Sequence, residues 1–206
     1  MTAEKTTPTT DFYQNHYESY FKRTVSINPS SFLLPFVKAL PQNSSILDIG
    51  CGSGRDLLWL KKQGFYLTGF DQSQGLVRLA ARHSRCEVIA GDFETYDFSP
   101  FSYDAILAAG SLVHVPHARL AAVIQNIRKA LESCGIFYVS LKQGQGTRTD
   151  AFGRIFYLWQ EHDLAEIFSR LNFSVLKTSN TKSVLNSKDP WLGFVLRAME
   201  RNNYPI

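Results

Sequence analysis

No apolar run in the sequence approaches the ~18 to 20 residues a membrane-crossing helix needs, so no membrane partner is expected. Cysteine is scarce. Cys51, Cys86 and Cys134 match no metal-knuckle spacing, and their odd number argues against a disulfide framework, so a reducing cytoplasm and no metal are expected. The first ten residues are Thr-rich and polar, without the apolar core of a secretory signal or the arginines of a transit peptide. Basic residues form no run: the net charge is +4, and the densest groups, Lys22-Arg23 and Lys61-Lys62, are pairs. Nucleic-acid binders more often show a basic stripe interleaved with aromatics, so nucleic acid is not the expected partner.

What is present is material for a core. With 44% hydrophobic and 13% aromatic residues, the 206-residue chain can fill one globular domain, and no linker divides it. Its centre is Ser45-Ile46-Leu47-Asp48-Ile49-Gly50-Cys51-Gly52-Ser53-Gly54-Arg55-Asp56. Ile46, Leu47 and Ile49 read as a buried strand, three glycines follow at alternate positions, and Leu57, Leu58 and Leu60 open a helix. Strand, glycine turn and helix form a cradle for a nucleotide-like ligand at a helix N-terminus. The next strand, Phe65 to Phe70, closes on Asp71, seventeen residues past Gly54, where a carboxylate can accept both hydroxyls of a ribose.

Along the chain, residues 1–10 read as a disordered tail, 11–43 as a helical lid and 44–206 as an α/β core. Tyr13, Tyr17 and Tyr20 recur at helical spacing in one predicted helix. A second helix starts after Asn28-Pro29, with a kink or late start expected at Pro35. Beyond the glycine loop, helices from about Asp56, Ser73 and His117 alternate with strands at Cys86–Ala90, Tyr103–Ala108 and Ile136–Leu141. Such alternation demands a mainly parallel sheet with helices on both faces, its strand C-termini along one edge. The segment 143–150 has the glycines and polarity of a mobile loop at that edge. A helix over His162–Leu171 and strands at Phe173–Thr178 and Trp191–Ala198 follow, the last after the turn-prone stretch Asn186 to Pro190.

The run Ile46 to Gly54, with Asp48 ahead of the glycines, resembles the first motif of the class I S-adenosylmethionine-dependent methyltransferases. Nicotinamide enzymes normally carry an apolar or small residue at that position. Gly91-Asp92-Phe93 resembles the family's adenine-binding turn, and Tyr103 to Ala108 followed by Ser111-Leu112-Val113-His114-Val115-Pro116 is similar to its fourth-strand region. The likeness covers about residues 29 to 179. It implies a seven-stranded sheet in a three-layer α/β sandwich, with the last strand antiparallel between the fifth and sixth, and S-adenosylmethionine as cofactor.

The resemblance assigns the loop residues Gly50, Cys51, Gly52 and Gly54 to the cofactor. It gives Asp71 the ribose hydroxyls and Asp48 the amino-acid end, with loop organisation as the competing role for Asp48. Asp92 and Phe93 take the adenine, Gln72 and Ser73 line the adenosine pocket, and Ala109, Gly110 and Ser111 offer backbone carbonyls to the methionine end. Arg55 is read either as a partner of the cofactor carboxylate or as an exposed first-turn residue. On the acceptor side His114 is the candidate catalytic base, with a packed structural histidine as the alternative. Tyr13 and Tyr17 belong to the expected lid. Arg154, Tyr157 and Trp159 are candidates for binding an acidic or aromatic acceptor, although packing explains them equally. No Asn/Asp-Pro-Pro-Tyr motif and no Pro-Cys pair occurs, which points away from methylation of DNA bases and toward a small-molecule acceptor. Non-catalytic binding of the cofactor and nicotinamide-dependent oxidoreduction are the competing functions.

Overall fold

A computed structural model describes residues 7–182 and 189–200. The chain begins with α1 (Pro8–Asn15), whose N-terminus is fixed by Pro8 in its first turn and by Thr7, whose hydroxyl accepts the Thr10 N–H. Residues 8–10, expected as tail, are therefore helical, while residues 1–6 lie outside the described part. At His16 (φ −116, ψ 21) the backbone leaves helical geometry, and α2 (Tyr17–Thr24) starts on a new axis. The single helix expected over Asp11–Phe21 is thus two, which separates the tyrosines. α3 (Ser30–Val37) runs through Pro35 without the late start expected.

The core follows as β1 (Ser45–Ile49), α4 (Arg55–Lys62), β2 (Tyr66–Asp71), α5 (Gln74–Ser84), β3 (Glu87–Ala90) and β4 (Tyr103–Ala109). A single 3-10 turn (Leu112–His114) leads through Pro116 into α6 (His117–Ile127). β5 spans Leu131–Lys142, because Leu131 already pairs with Tyr103 across a bulge, where a helical residue was expected. Within the segment 143–150, read as a mobile loop, Thr147–Thr149 form β6, which pairs as a hairpin with β7 (Ile155–Tyr157) beyond it. α7 (Glu161–Arg170), β8 (Phe173–Lys182) and β9 (Pro190–Ala198) complete the chain, and most of the turn expected between these strands lies outside the described residues.

Seven strands form one sheet in the order β3-β2-β1-β4-β5-β9-β8, and β9 is antiparallel to both neighbours. This is the three-layer arrangement expected. Side-chain alternation explains it: Leu47, Ile49, Ile106, Ala108, Phe137 and Val139 face α6 and α7, whereas Ile46, Ala105, Leu107, Ile136 and Tyr138 face α3 and α4. Both faces are covered, so no residue of these central strands is free to meet a ligand except at the strand ends. The parallel strands end along one edge, and all the sequence motifs lie there.

Candidate functional site

At that edge the ends of β1, β2 and β4, the turn after β3, and α1 enclose a cavity of about 480 Å³, within the range of small-molecule sites. Its floor is the glycine loop. Gly50, Gly52 and Gly54 have φ of +69°, +56° and +71°, and the N–H groups of Gly50 and Cys51 both donate to the Phe70 carbonyl. A side chain on Gly50 would overlap the Cβ of Ser111, and one on Gly54 would lie 2.9 Å from the Ala80 Cα.

Asp71 ends β2 in this wall, 9% exposed and facing the cavity. Its Oδ2 accepts the Gly52 N–H at 2.9 Å and its Oδ1 the Ser73 N–H at 2.9 Å. Burial raises its pKa, and these backbone donors oppose the rise. Asp48 lies beneath the loop, 2% exposed, with no hydrogen-bond partner for Oδ2. Burial first, and the neighbouring Asp56 second, raise its pKa well above the ordinary carboxylate range. Arg55 turns away from the cavity. It makes a two-pronged pair with Asp56 (2.7 and 2.8 Å) and lies over the Phe32 ring, so neither role expected for it is what the geometry shows. Cys51 packs against Leu57 and Ala80 with its thiol pKa driven up by burial.

Gln72 and Ser73 line the cavity, and Ser73 ties α5 to α1 by donating its hydroxyl to the Tyr13 carbonyl at 2.8 Å. Asp92 and Phe93 form the opposite wall. There Asp92 Oδ1 accepts the Glu94 N–H at 2.9 Å, holding the turn open toward the cavity. Ala109, Gly110 and Ser111 line the third side, with Trp191 packed behind Gly110 and the buried Ser111 hydroxyl unpartnered.

The roof joins residues far apart in sequence. His114 Nδ1 lies 2.6 Å from the Ile155 carbonyl, which can only accept, so Nδ1 carries the proton and Nε2 is an acceptor. The Tyr13 hydroxyl lies 3.2 Å from Nε2 and itself accepts from Arg154 Nη1 at 3.2 Å. Burial lowers the His114 pKa to about 4 and raises that of Tyr13, so both are neutral near pH 7. Arg154 is sandwiched by Phe12, Tyr13 and Phe156 and paired with Asp150, and it serves the roof rather than the cavity wall. Tyr157 lines the cavity. Trp159 does not: it is buried beneath the hairpin with its ring 4.5 Å from that of His117.

Tyr17 is likewise displaced, packing onto Gly75 of α5, and Tyr20 takes the expected place beside the glycine loop, 3.2 Å from where a Gly52 side chain would be. Leu76, Thr95, Arg119 and Ile155 also line the cavity and carried no sequence signal. Among the described residues no cluster of His, Cys, Asp and Glu could hold a metal, and no helix is long and apolar enough to cross a membrane.

Residues 46–135 match a family model described as a methyltransferase domain. The chain is 28% identical over 150 residues to a sterol 24-C-methyltransferase of Candida albicans, covering 63% of this chain and 39% of that enzyme. It is 32% identical over 108 residues to a tRNA (carboxymethyluridine(34)-5-O)-methyltransferase of Macaca fascicularis, covering 52% of this chain and 16% of that protein. The chain therefore spans well under two thirds of either relative. In fold it is similar to a Burkholderia thailandensis 1,6-didemethyltoxoflavin-N1-methyltransferase solved with S-adenosylhomocysteine, with a TM-score of 0.76, 20% identity, and coverage of 97% of this chain and 94% of that one.

Proposed function

We propose that this chain, a class I S-adenosylmethionine-dependent methyltransferase, carries one methyl group to a small-molecule acceptor by in-line displacement. The observation that carries the reading is the floor of the cavity, where a buried carboxylate at Asp71 meets a glycine loop that leaves no room for side chains. S-adenosylmethionine fits these residues and supplies a methyl already activated on a sulfonium. Each oxygen of Asp71 retains a lone pair beyond its backbone donor and is available to a ribose hydroxyl. The unpartnered Oδ2 of Asp48 suits the cofactor's ammonium, directly or through water. Asp92 takes the adenine amine, with Phe93, Gln72 and Ser73 around the adenosine and Ala109, Gly110 and Ser111 at the methionine end.

The roof excludes water and orients the acceptor. Tyr13 keeps one lone pair free of Arg154 and His114, and that lone pair receives the acceptor's proton as the phenolic proton moves to His114 Nε2. A base as weak as His114 suffices for a hydroxyl or thiol acceptor, because methylation of the neutral oxygen or sulfur makes its remaining proton strongly acidic, whereas a methylated amine keeps its proton and needs no base. Tyr157 borders the acceptor end. We place the protein in the cytoplasm, consistent with three unpaired cysteines, one of them exposed.

Calorimetric titration with S-adenosylmethionine, S-adenosylhomocysteine and a nicotinamide dinucleotide tests the reading. Micromolar binding of both sulfur ligands, with methyl transfer to a thiol, amine or hydroxyl in an acceptor screen, is expected. Binding without transfer to any acceptor would favour a non-catalytic cofactor-binding protein, and binding of the dinucleotide alone would overturn the proposal.

A further inference from the structure

The basic pairs that look scattered in sequence are gathered by the fold. α2 and α4 both pack against α5. Lys22 and Arg23 leave the C-terminal half of α2, where Phe21 meets the ring of His83 edge-on at 5.9 Å. Lys61 of α4 donates to the Arg85 carbonyl at 2.6 Å, and the charge of its neighbour Lys62 reaches His83. Arg78 and Arg82 stand one turn apart on α5. These seven cations, counting Arg85, are all exposed, and none is in an ion pair among the described residues. Glu18 is the exposed carboxylate of these three helices, and Glu87 and Asp104 stand at the foot of the face, so seven cations against three carboxylates give it a net +4, as large as the +4 of the whole chain.

A second cavity opens at the foot of this face, at the sheet edge opposite the methyl site. It is a groove of about 390 Å³ whose wall includes Lys61, Arg85, Tyr66 and Tyr103. Tyr66 is 68% exposed, the most exposed large apolar side chain among the described residues.

We propose that the α2–α4–α5 face and its groove form a docking surface for single-stranded RNA, the cations meeting phosphates and Tyr66 stacking on an unpaired base. A lipid surface fits less well, since none of the large apolar residues of α2, α4 or α5 stands far enough out to insert into a bilayer. Duplex DNA fits less well too, because the face is made of helix sides with no element projecting to enter a groove, while the exposed ring of Tyr66 beside Lys61 and Arg85 suits a splayed base. Although α2 and α5 also border the cofactor cavity, neither the seven cations nor Tyr66 line it, and the docking surface does not depend on which acceptor is methylated.

Fluorescence anisotropy with a labelled single-stranded RNA of about 12 nucleotides tests this, using the full chain. Expected is micromolar binding at 50 mM salt, with log K falling against log salt at a slope of about −3, for four to five phosphate contacts. Arg78→Glu with Arg82→Glu should weaken it more than tenfold, and Tyr66→Ser about tenfold with the salt slope unchanged. Both variants should keep wild-type affinity for S-adenosylhomocysteine, which certifies the fold and separates this test from that of the methyl site. Absent binding, binding indifferent to all three substitutions, or equal affinity for duplex DNA or phosphatidylserine vesicles would each overturn the proposal.

Discussion

Tyr13 and His114, 101 residues apart in the chain, meet at 3.2 Å with hydroxyl to Nε2, and this contact joins the N-terminal helix to the 3-10 turn that follows β4, over the cavity. The Ile155 carbonyl fixes the imidazole tautomer and Arg154 steadies the phenol, so the pair is preset before any acceptor arrives. Tyr13→Phe and His114→Gln should therefore slow methyl transfer by about 10²-fold or more while changing S-adenosylhomocysteine affinity only a few-fold. Radiolabelled methyl transfer alongside calorimetry separates the two effects. A large loss of cofactor affinity with normal turnover would show that the pair builds the cofactor wall instead.

The same histidine makes stability depend on pH. Its pKa is lowered to about 4 in the fold, against an ordinary value near 6.5, so between these values the unfolded chain binds a proton that the folded one does not. Stability should fall as pH drops from about 6.5 to about 4, and His114→Gln should flatten that part of the curve. Urea denaturation across the interval is the measurement, and an unchanged slope in the variant would reassign the dependence to other groups.

Asp71 holds two backbone N–H groups, one in the glycine loop and one at the start of α5. Asp71→Ala removes the proposed ribose acceptor and releases both. Since hydrogen bonds to a charged partner contribute about 1.5 to 3 kcal/mol each, cofactor affinity should fall at least tenfold. Calorimetry reads it directly, and retained affinity would move the ribose site elsewhere.

The strand–glycine–helix core and Asp71 were legible in the sequence because each rests on local periodicity or on a spacing the backbone itself imposes. The roof was not. Tyr13 was legible as part of an aromatic stripe, but a break at His16 that no proline or glycine announces turns Tyr17 onto Gly75 and brings Tyr20 to the loop. The hairpin of β6 and β7 hid in a polar, glycine-containing segment whose pairing is held by contacts from elsewhere, Arg148 to Asp189 among them. Arg55 was misleading for a different reason: its partner is the adjacent Asp56, and sequence alone does not show which way a first-turn arginine turns.

Asp48 sets stability against binding. Its buried Oδ2 has no partner, and its raised pKa means that the folded state resists ionisation which the unfolded chain accepts freely, so stability is lost as pH rises through the carboxylate range. Asp48→Asn cannot ionise, and the unliganded variant should be more stable than wild type at pH 7 by about 1 kcal/mol or more. It should also bind S-adenosylmethionine more weakly, as the ammonium loses its counter-charge. Thermal denaturation with and without cofactor tests both halves together, and a destabilised variant would mean that the carboxylate is organising the loop.

Asp189 anchors the hairpin to the sheet. It accepts from Lys142 at 2.7 Å and from both terminal nitrogens of Arg148 at 2.8 Å, and these cations lower its pKa to about 2. Lys142 is 7% exposed, with its ammonium near the rings of Phe156 and Trp191, so losing the carboxylate strands a buried charge that aromatic contact only partly offsets. Asp189→Ala should cost about 3 kcal/mol, whereas adding Lys142→Met to that variant should recover much of the loss. Because the pKa is depressed, the wild-type contribution should persist down to about pH 4 and disappear as pH falls toward 2. Urea denaturation of the single and double variants decides the matter: a double variant no more stable than the single one would show that the stranded lysine is not the source of the cost.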